Sequence, residues 1–420
     1  GAGTANLTST GAGDIFIAKY TSAGNYLWAK KIGGTVSDQG TDLAVSNTGH
    51  VDVTGLFRGA NVDFDPGAGT NLLTSLGSSD IFITQYDASG NYQWAKRIGG
   101  IESDAAERIA VDGNYIYLTG YFFGTSDFDP GPGSVNLSSA GVGDLFVAHY
   151  TASGDYVWAK RIGGTGGDGG LGLVLDGSSN LYLTGLFSTA NVDFDPGPGT
   201  AELSANGGND PFILSLSATG TYNWAINWGE YGLQPGSMAC SAIARDASGN
   251  VYATGYFNGT KIDFDPGVGV ANMTSIGGGD IFIAKYDAAG NYLWCKRVGG
   301  TDQDWAYGLA LDATGNVYLT GIFGSTVDFD PGAGSANLTS AGQLDVFLAK
   351  YDPFGNYLWV RSIGGPNSDL GYDLAVDGTG NVHITGVFEG INIDFDPGGG
   401  TANLSSNGQD IFIAQYDALG

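Results

Sequence analysis

Two aspartates flank one phenylalanine in "NVDFDPGAGT" (61–70), and the string DFDP recurs at 63, 127, 193, 263, 328 and 394. Alternate residues of an extended segment point the same way, so the two carboxylates share a face and the phenylalanine turns to the other. Like charges this close repel unless something neutralises them. The glycines after the proline let the backbone bend and offer carbonyl oxygens. Such a mixture suits calcium, which takes about six to eight oxygens. The candidate metal residues are Asp63, Asp65, Asp127, Asp129, Asp193, Asp195, Asp263, Asp265, Asp328, Asp330, Asp394 and Asp396. The same motif can also work without metal. An Asp before Pro is pushed extended and can bond the backbone of the following turn. The spacing lacks the further acids and distant Glu of an EF-hand loop. Both readings stay open.

The elements that must position these acids follow from internal repetition. Trp28, Trp94, Trp158, Trp224, Trp294 and Trp359 keep step with DFDP. The unit at 301–365 reads as four short strands, "YGLALD", "VYLTGIF", "DVFLAKY" and "YLWVRSIGG", each alternating and bounded by Gly, Asn, Asp or Pro. The GN pairs fit hairpin turns that need positive φ. Four antiparallel strands per unit, repeated, predict an all-β fold, a β-propeller of four-stranded blades. The chain holds six blade equivalents, and six or seven blades in the native ring. Partial units cover 1–34 (strands three and four) and 366–420 (strands one to three). Full units cover 35–100, 101–164, 165–230, 231–300 and 301–365. Residues 25–34 could supply the fourth strand missing after 420, which leaves one surplus "DIF" strand to pair with another molecule. The start at Gly1 and the stop at "YDALG" suggest an excised part of a longer chain.

Composition narrows the function classes. The formal charge is −27 with 16 basic residues, so nucleic acid and anionic membranes are poor partners. Divalent counter-ions are natural ones. No apolar run approaches the roughly 18 residues of a membrane span. Cys240 and Cys295 make no disulfide framework and suit small buried positions, though a bridge between adjacent blades stays open. The three histidines show no metal-ligand or nucleophile–base spacing. Three of the seven arginines, Arg97, Arg161 and Arg297, fall at one repeat position and the others are scattered, rather than forming a cluster for an acidic substrate. A second recurrent acid, Asp38, Asp104, Asp168, Asp304 and Asp369, follows "IGG" and is expected to hydrogen-bond between blades.

The fourth copy breaks the pattern. "AINWGEYG" replaces "AKRIGG" there, with about five inserted residues. Trp228, Glu230 and Tyr231 are expected on a loop between blades, as ligand-binding candidates for sugar or protein.

The pattern "D.F.AKYD..GNY.WAK.IGG…LA.D..GN.Y.TG.F", seen in "DIFIAKYDAAGNYLWCKRVGG" (280–300) and "LALDATGNVYLTGIF" (309–323), resembles the bacterial seven-bladed β-propeller repeat family. The DFDPG form is similar to that of large Bacteroidota surface proteins. The resemblance implies a secreted or cell-surface, non-catalytic structural or adhesive module. Calcium stabilisation, self-assembly through open terminal strands, and a protein or glycan partner on a surface are the further expectations. The alternative is a lectin-like or glycan-active propeller that uses the fourth repeat.

Overall fold

The computed structural model describes residues 5–205, 208–229 and 238–420. Every regular element among them is a strand. One repeat shows why. Its strands Trp305–Leu311, Val317–Phe323, Asp345–Tyr351 and Tyr357–Ile363 lie side by side in chain order, each antiparallel to the next. Val317 pairs with Tyr351 and Phe323 with Asp345. Period-two alternation would leave one face of such a sheet polar, yet every residue of Val317–Phe323 is buried. Sheets therefore cover both of its faces, which is why the strand reads "VYLTGIF" and not as an amphipathic alternation.

The same four-strand order spans Gln39–Gly100, Asp104–Ile162, Gly169–Asn227 and Met238–Val298. A two-stranded sheet, Ile15–Tyr20 with Tyr26–Ile32, precedes them. A three-stranded sheet, Leu370–Val376, Val382–Glu389 and Gln409–Tyr416, follows. These are the blades of a β-propeller fold. A small hairpin in each repeat, Thr326–Asp328 with Asn337–Thr339 for example, carries the DFDP motif.

Chain contacts group the residues into two compact units. One holds 1–204 and 214–223, and the other holds 205–213 and 224–420. Within the first, Ile81, Ile83 and Ile98 of one blade pack on Phe122, Phe128, Phe146 and Tyr150 of the next. Within the second, Ile281, Ile283 and Val298 pack on Phe323, Phe329, Phe347 and Tyr351. The core of each unit is thus a series of blade-to-blade layers.

Candidate functional site: repeated carboxylates and the contact between blades

The DFDP segment builds a hydrogen-bonded turn. Asp63 Oδ1 accepts the N–H groups of Asp65 at 3.0 Å and Asn71 at 2.9 Å. Asp65 Oδ1 accepts the N–H of Gly67 at 2.8 Å. The same bonds recur at Asp127, Asp193, Asp263, Asp328 and Asp394 and at their partners two residues on. The glycine spacing has a steric cause. A Cβ on Gly69 would lie 2.2 Å from Asp65 Oδ2, and Gly133, Gly199, Gly269, Gly334 and Gly400 stand in the same position against their own aspartates. The phenylalanine points into the core, as its alternation requires. Phe64 is fully buried, edge-on to Phe57 at 5.4 Å, and its carbonyl accepts the Tyr86 hydroxyl at 2.8 Å.

One oxygen of each carboxylate serves the turn, and calcium takes about six to eight oxygens, more than the two acids of one motif supply. Among the described residues no group of three or more His, Cys, Asp or Glu is arranged to hold a metal. The motif's chemistry is that of a turn that seats a phenylalanine.

A second set of carboxylates lies between neighbouring blades, one at the start of each third strand and one at the start of the next blade. Asp80 accepts from Leu76 N–H and forms an ion pair with Arg97 at 2.8 Å. Asp104 accepts from Gly100 N–H at 2.8 Å and from Ser126 Oγ at 2.9 Å, so it ties one blade's last strand to the next blade. Asp38, Asp168, Asp304 and Asp369 make the corresponding bonds to Gly34, Gly164, Gly300 and Gly365. Burial pushes the Asp104 carboxyl up to about 6, and the nearby Asp80 charge adds to this. Burial pushes Asp304 to about 7, with Asp280 and Asp302 adding. Asp144 and Asp280 pair with Arg161 and Arg297, both at 2.5 Å, and Asp14 with Lys31 at 3.0 Å. Ser362 stands where Asp345 would find its arginine, opposite Phe347, and burial raises Asp345 to about 6. Sequence reasoning used these "DIF" aspartates only to count strands. Their signal was the basic residue 17 positions later at 31, 97, 161 and 297.

The tryptophans complete the contact. The turn "DASGN" is closed by Asp87, whose Oδ1 accepts from Ser89 and Asn91 N–H, and Gly90 adopts φ +77°. A Cβ on Gly90 would lie 2.9 Å from the Trp28 ring, and Trp28 Nε1 donates to Ala88 O at 3.3 Å. Gly154, Gly220, Gly290, Gly355 and Gly420 likewise face Trp94, Trp158, Trp224, Trp294 and Trp359. The tryptophan beside each turn therefore comes from the preceding blade. Lys285 and Lys350 lie 4.6 Å over the rings of Tyr252 and Tyr318. His149 takes the place of that lysine in its own blade and stacks on Tyr117 at 4.3 Å.

The fourth copy corrects one expectation. Trp228 follows directly on the strand Tyr222–Asn227 but is not presented to a ligand; it is 2% exposed and packs against Phe264, Phe282 and Tyr286 at ring distances of 5.9–6.2 Å. It fills the position of Ile98, Ile162, Val298 and Ile363, four residues after the repeat tryptophan. Glu230 and Tyr231 lie outside the described residues. Cys240 and Cys295 are buried and are not joined in a disulfide, and burial pushes the Cys295 thiol well up.

The family model for the beta-propeller repeat (SBBP) matches residues 358–387. Those residues run from the fourth strand of one blade into the second strand of the next, so the match crosses one of the contacts just described. The match agrees with the β-propeller fold of the blades described above. An uncharacterized WD repeat-containing protein of Acanthamoeba polyphaga mimivirus is 26% identical over 94% of this chain and 32% of its own length. The regulatory protein FlaEY of Caulobacter vibrioides is 26% identical over 77% of this chain and 34% of its own. The chain spans about a third of the length of these relatives. Among solved structures, the Neurospora crassa Pan2 WD40 domain is 10% identical with a TM-score of 0.40, over 83% of this chain and 75% of that one. The extracellular domain of a putative one component system from B. thetaiotaomicron is also 10% identical, with a TM-score of 0.36, over 88% of this chain and 38% of that one.

Proposed function

We propose that the chain is a non-catalytic structural and interaction module that works outside the cell, secreted or on a cell surface. The observation that carries this reading is where the repeated polar groups are used. The DFDP acids close turns, the Asp–Arg pairs join strands of one blade, and Asp104 and its counterparts, the tryptophans and the lysines (Lys285 Nζ donates to Pro353 O at 3.3 Å) hold blade to blade, so the repeated chemistry serves rigidity. The −27 charge and the resemblance to surface-protein repeats support an extracellular place. Calcium enters as a diffuse counter-ion of an acidic chain, not as a ligand of each DFDP turn. The test is incubation of the purified chain with panels of polysaccharides and surface proteins. Saturable binding without turnover is expected. Turnover of any polysaccharide that Glu230→Gln abolishes would sink the reading.

A carbohydrate-binding role is the second reading, and one feature favours it. In the unit that holds 224–420, Tyr256 stacks on Trp305 at 4.5 Å, and Tyr307 lies 6.4 Å from Trp305 and 6.2 Å from Tyr372. Position 305 is Gln39, Ala105, Gly169 or Leu370 in other copies, so the repeat does not explain this cluster. Aromatic side chains with a polar tip suit a partner that is apolar on one face and polar at its edges. Loss of glycan-array binding in Tyr372→Ala would support it.

A further inference from the structure

Among the described residues, five blade junctions carry a pair of aspartates: Asp14 with Asp38, Asp80 with Asp104, Asp144 with Asp168, Asp280 with Asp304, and Asp345 with Asp369. The carboxylates of a pair meet across a glycine. A Cβ on Gly99 would lie 2.8 Å from Asp104 Oδ2 and 2.9 Å from Asp80 Cγ, and one on Gly163 would lie 2.8 Å from Asp168 Oδ2 and 2.6 Å from Asp144 Cγ. Gly364 holds that place beside Asp345, whose Oδ1 would lie 2.6 Å from such a Cβ. Four pairs have a basic residue on the first acid, namely Lys31, Arg97, Arg161 and Arg297. The fourth repeat lacks the basic residue and the second acid together, with Asn227 and Met238 in their places. The Asp345/Asp369 pair lacks the basic residue, replaced by Ser362, and keeps both acids.

Asp345 and Asp369 are each 1% exposed. Among the described residues neither forms an ion pair. Asp369 accepts from the N–H groups of Gly365 at 2.7 Å and Glu389 at 2.9 Å, and Asp345 Oδ2 accepts from Ala341 N–H at 2.7 Å. Asp345 Oδ1 is buried and has no hydrogen-bond partner. The same oxygen is unpartnered at Asp14, Asp80, Asp144 and Asp280, where the basic residue offsets the charge. Buried charges are paired or coordinate metal ions, and two carboxylates without a counter-charge repel each other. We infer that this junction binds a small monovalent metal cation, held by Asp345 and Asp369 in place of the missing guanidinium. One positive charge is what an arginine supplies at the other junctions. Two carboxylates also give fewer oxygens than the about six to eight that calcium takes. The strength of this one contact then follows the sodium concentration, whereas its neighbours carry their counter-charge in the chain. The inference is independent of whether the chain binds a glycan or a protein.

Thermal melts at pH 8 test it, with sodium chloride exchanged for choline chloride at constant ionic strength. Protons compete with the ion for Asp345, and pH 8 disfavours them. Choline is too bulky for a buried site and reports screening alone. Two variants accompany the unaltered chain. Ser362→Arg restores the guanidinium that other repeats carry, and Asp345→Asn removes the charge that would hold the ion. The unaltered chain is expected to gain about 1–3 °C in Tm when sodium replaces choline, and both variants are expected to lose that gain. A cooperative melt in choline shows that each variant folds. Equal Tm in the two salts for the unaltered chain would overturn the inference, whether or not either variant folds. A sodium gain that a folded variant keeps would also overturn it, because the ion would then act elsewhere.

Discussion

The regular blade contact and the fourth repeat solve one packing problem differently. At 280–351, a small Val298 is flanked by Arg297, which pairs with the buried Asp280, and the Tyr351 hydroxyl caps the Phe329 carbonyl at 3.1 Å. At 210–228, Asn227 replaces the arginine and Trp228 replaces the small aliphatic residue. Trp228 is buried all the same, against Tyr286 of the next blade, whose hydroxyl caps the Phe264 carbonyl at 2.9 Å. The repeat therefore tolerates replacement of its arginine as long as the apolar layer stays filled. Buried ion pairs add little beyond their desolvation cost, whereas core volume adds a great deal.

Truncating the layer should break this comparison most severely. Trp228→Ala is expected to cost about 3–5 kcal/mol, against about 0.5–1.5 kcal/mol for Ile363→Val at the equivalent position. Denaturant titration measures both, and a loss below about 1 kcal/mol for Trp228→Ala would contradict its place in the core.

The turn comes next. Gly69→Ala forces a Cβ onto the Asp65 carboxylate and should cost about 1–3 kcal/mol. Gly177→Ala, with open space around it, should stay within about 0.5 kcal/mol. Equal costs at the two sites would remove the steric account of the DPGxG spacing.

Acidity sharpens the polar half of the comparison. Asp104, Asp304 and Asp345 are raised to about 6, 7 and 6. These values lie above the unfolded value of about 4, so the folded chain holds protons there that the unfolded chain has released. Stability should fall as pH rises from about 4 through about 7, and Tm at pH 5 should exceed Tm at pH 8. Asp304→Asn should flatten that slope. Below about pH 4 the trend reverses. Burial alone would raise Asp312, but hydrogen bonds from Thr314 and Asn316 hold it at about 2, and that stabilisation is lost on protonation. A Tm that climbs steadily up to pH 8 would contradict the assignment.

The smallest expected effect is that of calcium. Exchanging millimolar calcium for a chelator should leave Tm unchanged at matched ionic strength. Several bound ions would raise Tm with calcium concentration, and finding that would restore DFDP as a cation motif.

Much of the fold was legible because a repeat displays its own pattern. Six copies of Trp and DFDP, with recurrent GN pairs between strands, fix strand order even where one copy drifts. The site was legible only in part. The Asp65–Gly69 contact spans four residues and shows in the sequence as a spacing without a cause. The Trp28–Gly90 contact joins positions about one repeat apart, and the tryptophan seven residues after the same Asp turn conceals it. Trp228 was misread because a break in the polar pattern looked like an exposed loop. Counting four residues from Trp224 would have placed it at the buried Ile/Val position.

The landing of each tryptophan on the next blade's glycine carries a consequence for how such a chain changes over generations. Every blade presents the same donor side and the same acceptor side, so excising or duplicating one whole repeat of about 65 residues rejoins compatible partners. Copy number can then drift by recombination without a new core having to evolve. Each copy is free to exchange its arginine, as the fourth has for Asn227, while its neighbours keep the stack in register.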